Sequence, residues 1–345
     1  MIFLVTTCLQ LAGKFQIGTV EMLNLHEKSL QTTNVQNANC VVMVPPKEFR
    51  FNEETARDNE FQQRVNLTQE EVKSQTMAEF KAMVKVLRKE GVQVVEFDYP
   101  ELGVETPDAV FPNNWFSTVS DGSLYTFPMA CENRQHEVKP NALIEALEAA
   151  GRIVNHVDTL ESYLQQGAYL ESTGVMVIDH INKTIYAALS QRCDREVLED
   201  YAKRIGYSRV VSFQTALPSG QPIYHTNVMM AIGDNFCVIC DEVIPEFERR
   251  FVVKSLAKDK QVISISIDQM NRFCGNILQL ETVNGDKVIA MSQSAFDAFS
   301  PAQRAQLATH GKLLPFNVKT IEDIGGGSVR CMLGEVFLPT RVNRL

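Results

Sequence analysis

The chain has 345 residues, 45% of them apolar, and a formal net charge of −9. That composition can fill a large core, and the absence of any run of like charge argues against nucleic acid or an anionic membrane surface as a partner. Eight cysteines are too dilute here for a disulfide scaffold, so a reduced, cytoplasmic setting is expected.

Residues 1–37 read as a poorly specified leader ahead of a single domain, 38–345. The apolar stretch Ile2–Ala12 has no basic residue before it and is too short to span a bilayer; a cleaved signal is the alternative reading, with Thr6–Gly13 as its small-residue end. No later run approaches ~18 apolar residues, so no membrane insertion is expected. Asn39–Val44 reads as the first strand and stops at Pro45-Pro46. Phe49–Val65, charged and dotted with aromatics, reads as an irregular loop over the body.

A unit then recurs: an amphipathic helix, a strand, and two strands joined by a polar turn. The first places a helix over Thr68–Lys89, closed by Gly91, then strands Val92–Phe97, Ala109–Val119 and Leu124–Pro128 around Asp121-Gly122. The second has a helix at Ala142–Ala150 and strands Ile153–Val157, Ala168–Ile178 and Thr184–Leu189, turning at Asn182-Lys183. Arg195–Ile205, Arg209–Phe213, Ile223–Ile232 and Phe236–Ile239 make the third, turning at Gly233-Asp234-Asn235. The fourth runs Phe247–Ala257, Val262–Ile267, Ile277–Val283 and Val288–Met291, turning at Asn284-Gly285-Asp286. A helix at Ala302–His310 and a strand at Leu313–Val318 open the fifth, which ends in Gly325-Gly-Gly-Ser-Val-Arg-Cys331 and an apolar run read as a buried strand. Units at roughly 45–60-residue intervals suit blades around an axis. The fold expected is therefore α/β, a five-bladed α/β propeller with pseudo-five-fold ββαβ-type repeats. Cys237-Val-Ile-Cys240 lies on a strand, where i and i+3 face opposite ways, so no metal site is expected.

Aligning the units puts a polar residue at one point of each middle strand: Asn114 (beside Asn113), Glu171, His225 with Asn227, Asn276, and Cys331. In a radial fold these would converge on one pocket, bringing a thiol nucleophile, an acid/base imidazole, a carboxylate to orient it, and amides to hold a substrate. Arg330, next to the thiol, would favour the thiolate. Taken singly, each has a structural explanation, Cys331 as a small core hydrophobe and the asparagines as turn formers. Their shared register favours function. Trp115 reads as core packing.

The segments Phe49-Arg-Phe-Asn-Glu-Glu-Thr-Ala56, Phe111-Pro-Asn-Asn-Trp-Phe-Ser117, Tyr224-His-Thr-Asn-Val-Met-Met230 and Gly325-Gly-Gly-Ser-Val-Arg-Cys-Met332 resemble the guanidino-group-modifying (pentein) superfamily. Its members include arginine deiminases, dimethylarginine hydrolases and amidinotransferases, and the resemblance is nearest to the amidinotransferase-related, citrulline-utilisation hydrolases. It covers roughly residues 39–339 and implies Cys331 as nucleophile, His225 as acid/base and Glu171 as its partner. It also implies Asp108 as a substrate contact and Arg134 and Arg192 as holders of the substrate α-carboxylate. No cofactor or metal is implied; the partner is a small amino-acid substrate, and a homodimer is the assembly held open.

The pattern departs from arginine-acting relatives where they carry guanidinium-pairing aspartates, because Asn114 and Asn227 stand there instead. An amide cannot balance a desolvated cation but can serve a neutral ureido group. The expected reaction is thus hydrolysis of citrulline to ornithine, carbon dioxide and ammonia through a covalent Cys331 intermediate. The alternatives are arginine or dimethylarginine hydrolysis, amidino transfer, and a non-catalytic binding propeller.

Overall fold

The four hairpins predicted from turn signals all form, and the strands around them assemble into small mixed sheets. The computed structural model describes residues 35–98 and 104–341. The leader's apolar stretch lies outside them; Gln36 and Asn37, its last residues, are buried, with Gln36 donating to Ile178 O at 2.9 Å.

Strand β1 (Cys40–Met43) pairs parallel with β2 (Gln93–Glu96), Val41 against Val94. The hairpin β3 (Phe116–Thr118) and β4 (Ser123–Thr126) takes β5 (His156–Thr159) parallel to β4. The same pattern repeats in β6 (Val177–Asp179), β7 (Thr184–Ala188) and β8 (Arg209–Phe213). It recurs in β9 (Met230–Ile232), β10 (Phe236–Ile239) and β11 (Gln261–Ser264), and in β12 (Leu278–Glu281), β13 (Lys287–Ser292) and β14 (Lys312–Phe316). The last strand, β15 (Gly334–Glu335), returns antiparallel to β1, so the first sheet joins both ends of the described chain. The described residues thus hold five three-stranded sheets of one topology.

This regroups the predicted units. Each hairpin belongs with the helix and strand that follow it, not with those before. The physical reason is the parallel pair: a strand can run alongside its hairpin partner only after a helical crossover, and that crossover comes next in the chain. The strand expected through Met332–Leu338 shrinks to two residues, and β5 begins three residues later than the predicted Ile153.

The middle strands β1, β4, β7 and β10 are buried throughout, as a strand covered on both faces must be. Helices cover the outer strands. The longest, Gln69–Lys89, is started by a Thr68–Glu71 capping box, a cap of about 1 kcal/mol. It buries Val72, Thr76, Phe80, Met83, Val84 and Leu87, one stripe at helical spacing. Gly91, at φ +87°, ends the turn. Apolar clusters run across sheet boundaries: Val177 and Tyr186 pack in one core with Met230, Val238 and Ile289. Trp115 is buried against Phe97 and Phe116.

Candidate active site

The aligned polar residues do not sit within the strands, as the sequence pattern predicts, but one turn ahead of them. Asn113 and Asn114 lie on a 3₁₀ turn, Pro112–Asn114, just before β3. Glu171 immediately precedes a one-turn helix, Ser172–Val175, leading to β6; His225 immediately precedes another, Thr226–Met229, which carries Asn227 and leads to β9. Asn276 follows a tight turn before β12, and Cys331 stands in the turn before β15. Five sheets thus carry these residues at the same place, the entry to the strand that runs antiparallel to the middle one. Two of these entries are strained: Ser172 has φ +38° and Phe273 φ +61°, costs of order 1–3 kcal/mol that the surrounding fold must hold.

Cys331, His225, Asn114, Asp108, Arg134 and Arg192 line one cleft. Cys331 and His225 are each 2% exposed, so both side chains are screened from bulk water. The cover is the segment predicted as an irregular loop. It contributes Thr55 and Asn59 to the lining, and Asn59 and Gln62 donate to Gly325 O and Ile324 O.

His225 Nε2 lies 2.7 Å from Glu171 Oε2. Burial acts to raise the Glu171 pKa, but Arg192, the His225 hydrogen bond and Arg134 together hold it far below the usual carboxylate range. A carboxylate so held has no proton to give, so Nε2–H donates to it and Nδ1 is left as the base. Burial pushes the His225 pKa down to about 4, against the pull of Glu171, so the imidazole is neutral at pH 7. Behind the ring, Gly174 is required: a Cβ there would come within 2.8 Å of His225 Cε1 and collide with the Asn114 amide.

The thiol has amides for neighbours. Asn276 Nδ2 donates to Cys331 Sγ at 3.3 Å, and Asn227 Oδ1 lies 3.7 Å from the sulfur. Burial raises the thiol pKa despite these contacts. Arg330 pulls the thiol toward the thiolate, as the sequence suggests, but burial outweighs that pull. Its guanidinium donates to Leu333 O and to Glu335 at 2.7 Å, so its charge is already matched.

Asp108 is buried, and its Oδ2 accepts from Asn52 at 2.7 Å and Thr55 at 3.1 Å, while Oδ1 has no partner among the described residues. The two cleft arginines are held by carboxylates of the chain itself. Arg134 pairs with Glu137 at 2.9 Å and donates to Asn114 Oδ1 at 2.8 Å. Arg192 forks onto Asp58 and reaches Glu171 at 3.4 Å. Tyr224, Asp58 and Glu137 are participants that the sequence reading leaves out. Tyr224 stacks on His225 at 4.5 Å between centroids and donates to Gly326 O. Its position directly before His225 was the available signal; Glu137, three residues after Arg134 in the turn that follows the short helix Glu132–Gln135, offered another.

A family model that matches most of the chain makes it a member of the guanidino-group-modifying superfamily, of pentein type, and a hydrolase of non-peptide C–N bonds. Within that superfamily it belongs to the family described as N,N dimethylarginine dimethylhydrolase, eukaryotic, whose model matches residues 45–338. Among solved structures it is similar to the product-bound N-terminal domain of ArgZ, an arginine dihydrolase from the ornithine-ammonia cycle in cyanobacteria. The identity is 16%, covering 87% of this chain and 99% of that one, with a TM-score of 0.67. Apo ArgZ matches at 15% identity and TM-score 0.66 over 87% of this chain but 41% of its own, so the chain spans about two fifths of that protein. A dimethylarginine dimethylaminohydrolase variant in an adduct with S-methyl-L-thiocitrulline matches at 14% identity and TM-score 0.59, covering 87% of this chain and 100% of that one. At such identities the likeness concerns the fold. None of the curated proteins matches the sequence.

Proposed function

We propose that residues 38–345 form a single catalytic domain whose five sheets stand as blades about a common axis. In this reading the domain hydrolyses the terminal C–N bond of an arginine-type amino acid through a covalent bond to Cys331. The preferred substrate is the neutral ureido form, citrulline. The observation that carries this reading is the convergence of Cys331 and the His225–Glu171 pair on a cleft whose amides supply no counter-charge.

His225 Nδ1 takes the thiol proton as sulfur adds to the ureido carbon, and returns it to the departing nitrogen, which leaves as ammonia. Water, activated by the same imidazole, then adds to the S-carbamoyl carbon and releases the thiol. The N-carboxy-ornithine so formed loses carbon dioxide to give ornithine. Glu171 stabilises the imidazolium formed in each half-reaction, help typically worth 10²–10⁴-fold. Asn227 and Asn276 steer the sulfur. The unpaired Asp108 oxygen takes an N–H of the substrate.

That same oxygen favours a second reading, a guanidino substrate such as arginine or a methylated arginine, since a free carboxylate oxygen suits a cation. The family description and ArgZ, an arginine dihydrolase, support it. An assay for citrulline, ornithine, carbon dioxide, ammonia and dimethylamine on citrulline, arginine and dimethylarginine, with Cys331→Ser as the control, decides between them. Faster turnover of arginine than of citrulline would overturn the ureido preference. The seven described cysteines are free thiols, which suits a cytoplasmic location.

A further inference from the structure

We infer that Arg134, braced by Glu137, is a positioning residue that locks the Asn114 carboxamide with its nitrogen toward the cleft, so that the site selects an oxygen acceptor on the carbon attacked by Cys331. The inference rests on the ureido reading above and deepens it.

The hydrogen bonds run in one direction only. Arg134 Nε donates to Glu137 Oε1 at 3.1 Å, and Nη2 donates to Glu137 Oε2 at 2.9 Å and Phe111 O at 3.3 Å. This forked pairing fixes the plane of the guanidinium, and Nη1 then points at Asn114 Oδ1, 2.8 Å away. A guanidinium has no acceptor, so the amide oxygen, never the nitrogen, must face Arg134. One Asn114 N–H goes to Asn113 Oδ1 at 3.1 Å. Asn113 is itself anchored, donating to Thr173 Oγ1 at 3.3 Å while its carbonyl accepts from the same hydroxyl at 3.0 Å.

The second Asn114 N–H has no acceptor among the described residues, and the amide nitrogen stands beside the His225 ring over Gly174. Asn114, Arg134, Glu137 and Asn113 are all at most 2% exposed, so water does not scramble the arrangement. A guanidinium offers only donors and would meet this N–H donor to donor. A ureido oxygen, or the oxyanion that forms on it, accepts the bond. An arginine that could have clasped a substrate carboxylate is thereby committed to setting the polarity of one amide.

Binding to the Cys331→Ser protein tests this without turnover, with citrulline and arginine as the probes. The unaltered cleft should bind citrulline about tenfold more tightly than arginine. Asn114→Asp, which keeps the Arg134 contact but turns an acceptor to the cleft, should reverse the preference. Glu137→Gln should narrow it about fivefold and Glu137→Asp, which keeps the charge, should restore part of it. Equal weakening of both ligands in every variant, or a preference unmoved by Asn114→Asp, would overturn the lock. Asn114→Asp leaves Arg134 paired, so the test stands even where the Glu137 variants fold poorly. The outcomes separate from those of the reaction itself. Loss of all turnover in the unmodified chain with the ligand preference intact sinks only the reaction, and citrulline turnover with an immovable preference sinks only the lock.

Discussion

The two ends of the cleft are built on opposite electrostatics. Around Cys331 the neighbours are neutral amides, Asn227 and Asn276. Around His225 stand two guanidinium groups, Arg134 and Arg192, and the carboxyl groups of Glu171, Glu137, Asp108 and Asp58. The difference locates the source of activation. Nothing at the amide end makes a thiolate at rest, since burial raises that pKa, and the imidazole is neutral as well. In the proposed reaction the resting pair is thiol and neutral imidazole, and the proton moves when the substrate is in place.

The most severe way to break this division is to remove the sulfur. Cys331→Ser should lower kcat/KM by about 10⁴-fold or more in an ammonia-release assay, and activity within tenfold of the parent would place the nucleophile elsewhere. Glu171→Gln attacks the ionic end. It should cost about 10²–10³-fold in kcat and about 3 kcal/mol in urea unfolding, because Arg192 and Arg134 keep their charge with one partner fewer. An unchanged unfolding midpoint would show that the ionic end does not depend on this carboxylate.

Gly174→Ala sharpens the comparison geometrically, since the new methyl would press on the Asn114 amide nitrogen and the His225 ring. A drop of about 10²-fold in kcat, with Cys331 alkylation by iodoacetamide unaltered, is the expected signature. Acid should act through the same imidazole. Below pH 6.5 the unfolded histidine binds a proton that native His225 refuses until about pH 4, so stability should fall across that window as pH falls, by up to about 3 kcal/mol. The acid limb of kcat/KM should lie in the same window, near 4 and not near 6.5. The smallest effect belongs to a thiol without amides. Cys274, whose Sγ lies 3.4 Å from Ala295 O and whose pKa is pushed up to about 12, should tolerate Cys274→Ala with unchanged turnover and about 1 kcal/mol of lost stability in the same unfolding assay.

Much of this architecture is readable from the chain alone. Polar turns such as Asp121-Gly122 and Asn284-Gly285 between apolar runs mark hairpins because their backbone geometry is a local property. The recurrence of such marks also reveals the equivalence of Asn114, Glu171, His225, Asn276 and Cys331. The grouping of strands into sheets is less legible, since a parallel partner lies a whole helix away and no local signal names it. The cover over the cleft is legible as a segment but not as a cover: Thr55 and Asn59 gain their role only when Gly325 and Asp108 come within reach.

What the residue order determined by itself is the repeated module and the kind of group each module carries to its strand entry. Only the tertiary structure decided what each group does there. It paired Arg330 with Glu335, set Arg134 on Glu137 and Asn114, and left one oxygen of Asp108 without a partner among the described residues. The reason is that turn and strand preferences act over a few residues, whereas a buried charge or amide takes the partner that folding brings within about 3 Å, often from a distant part of the chain.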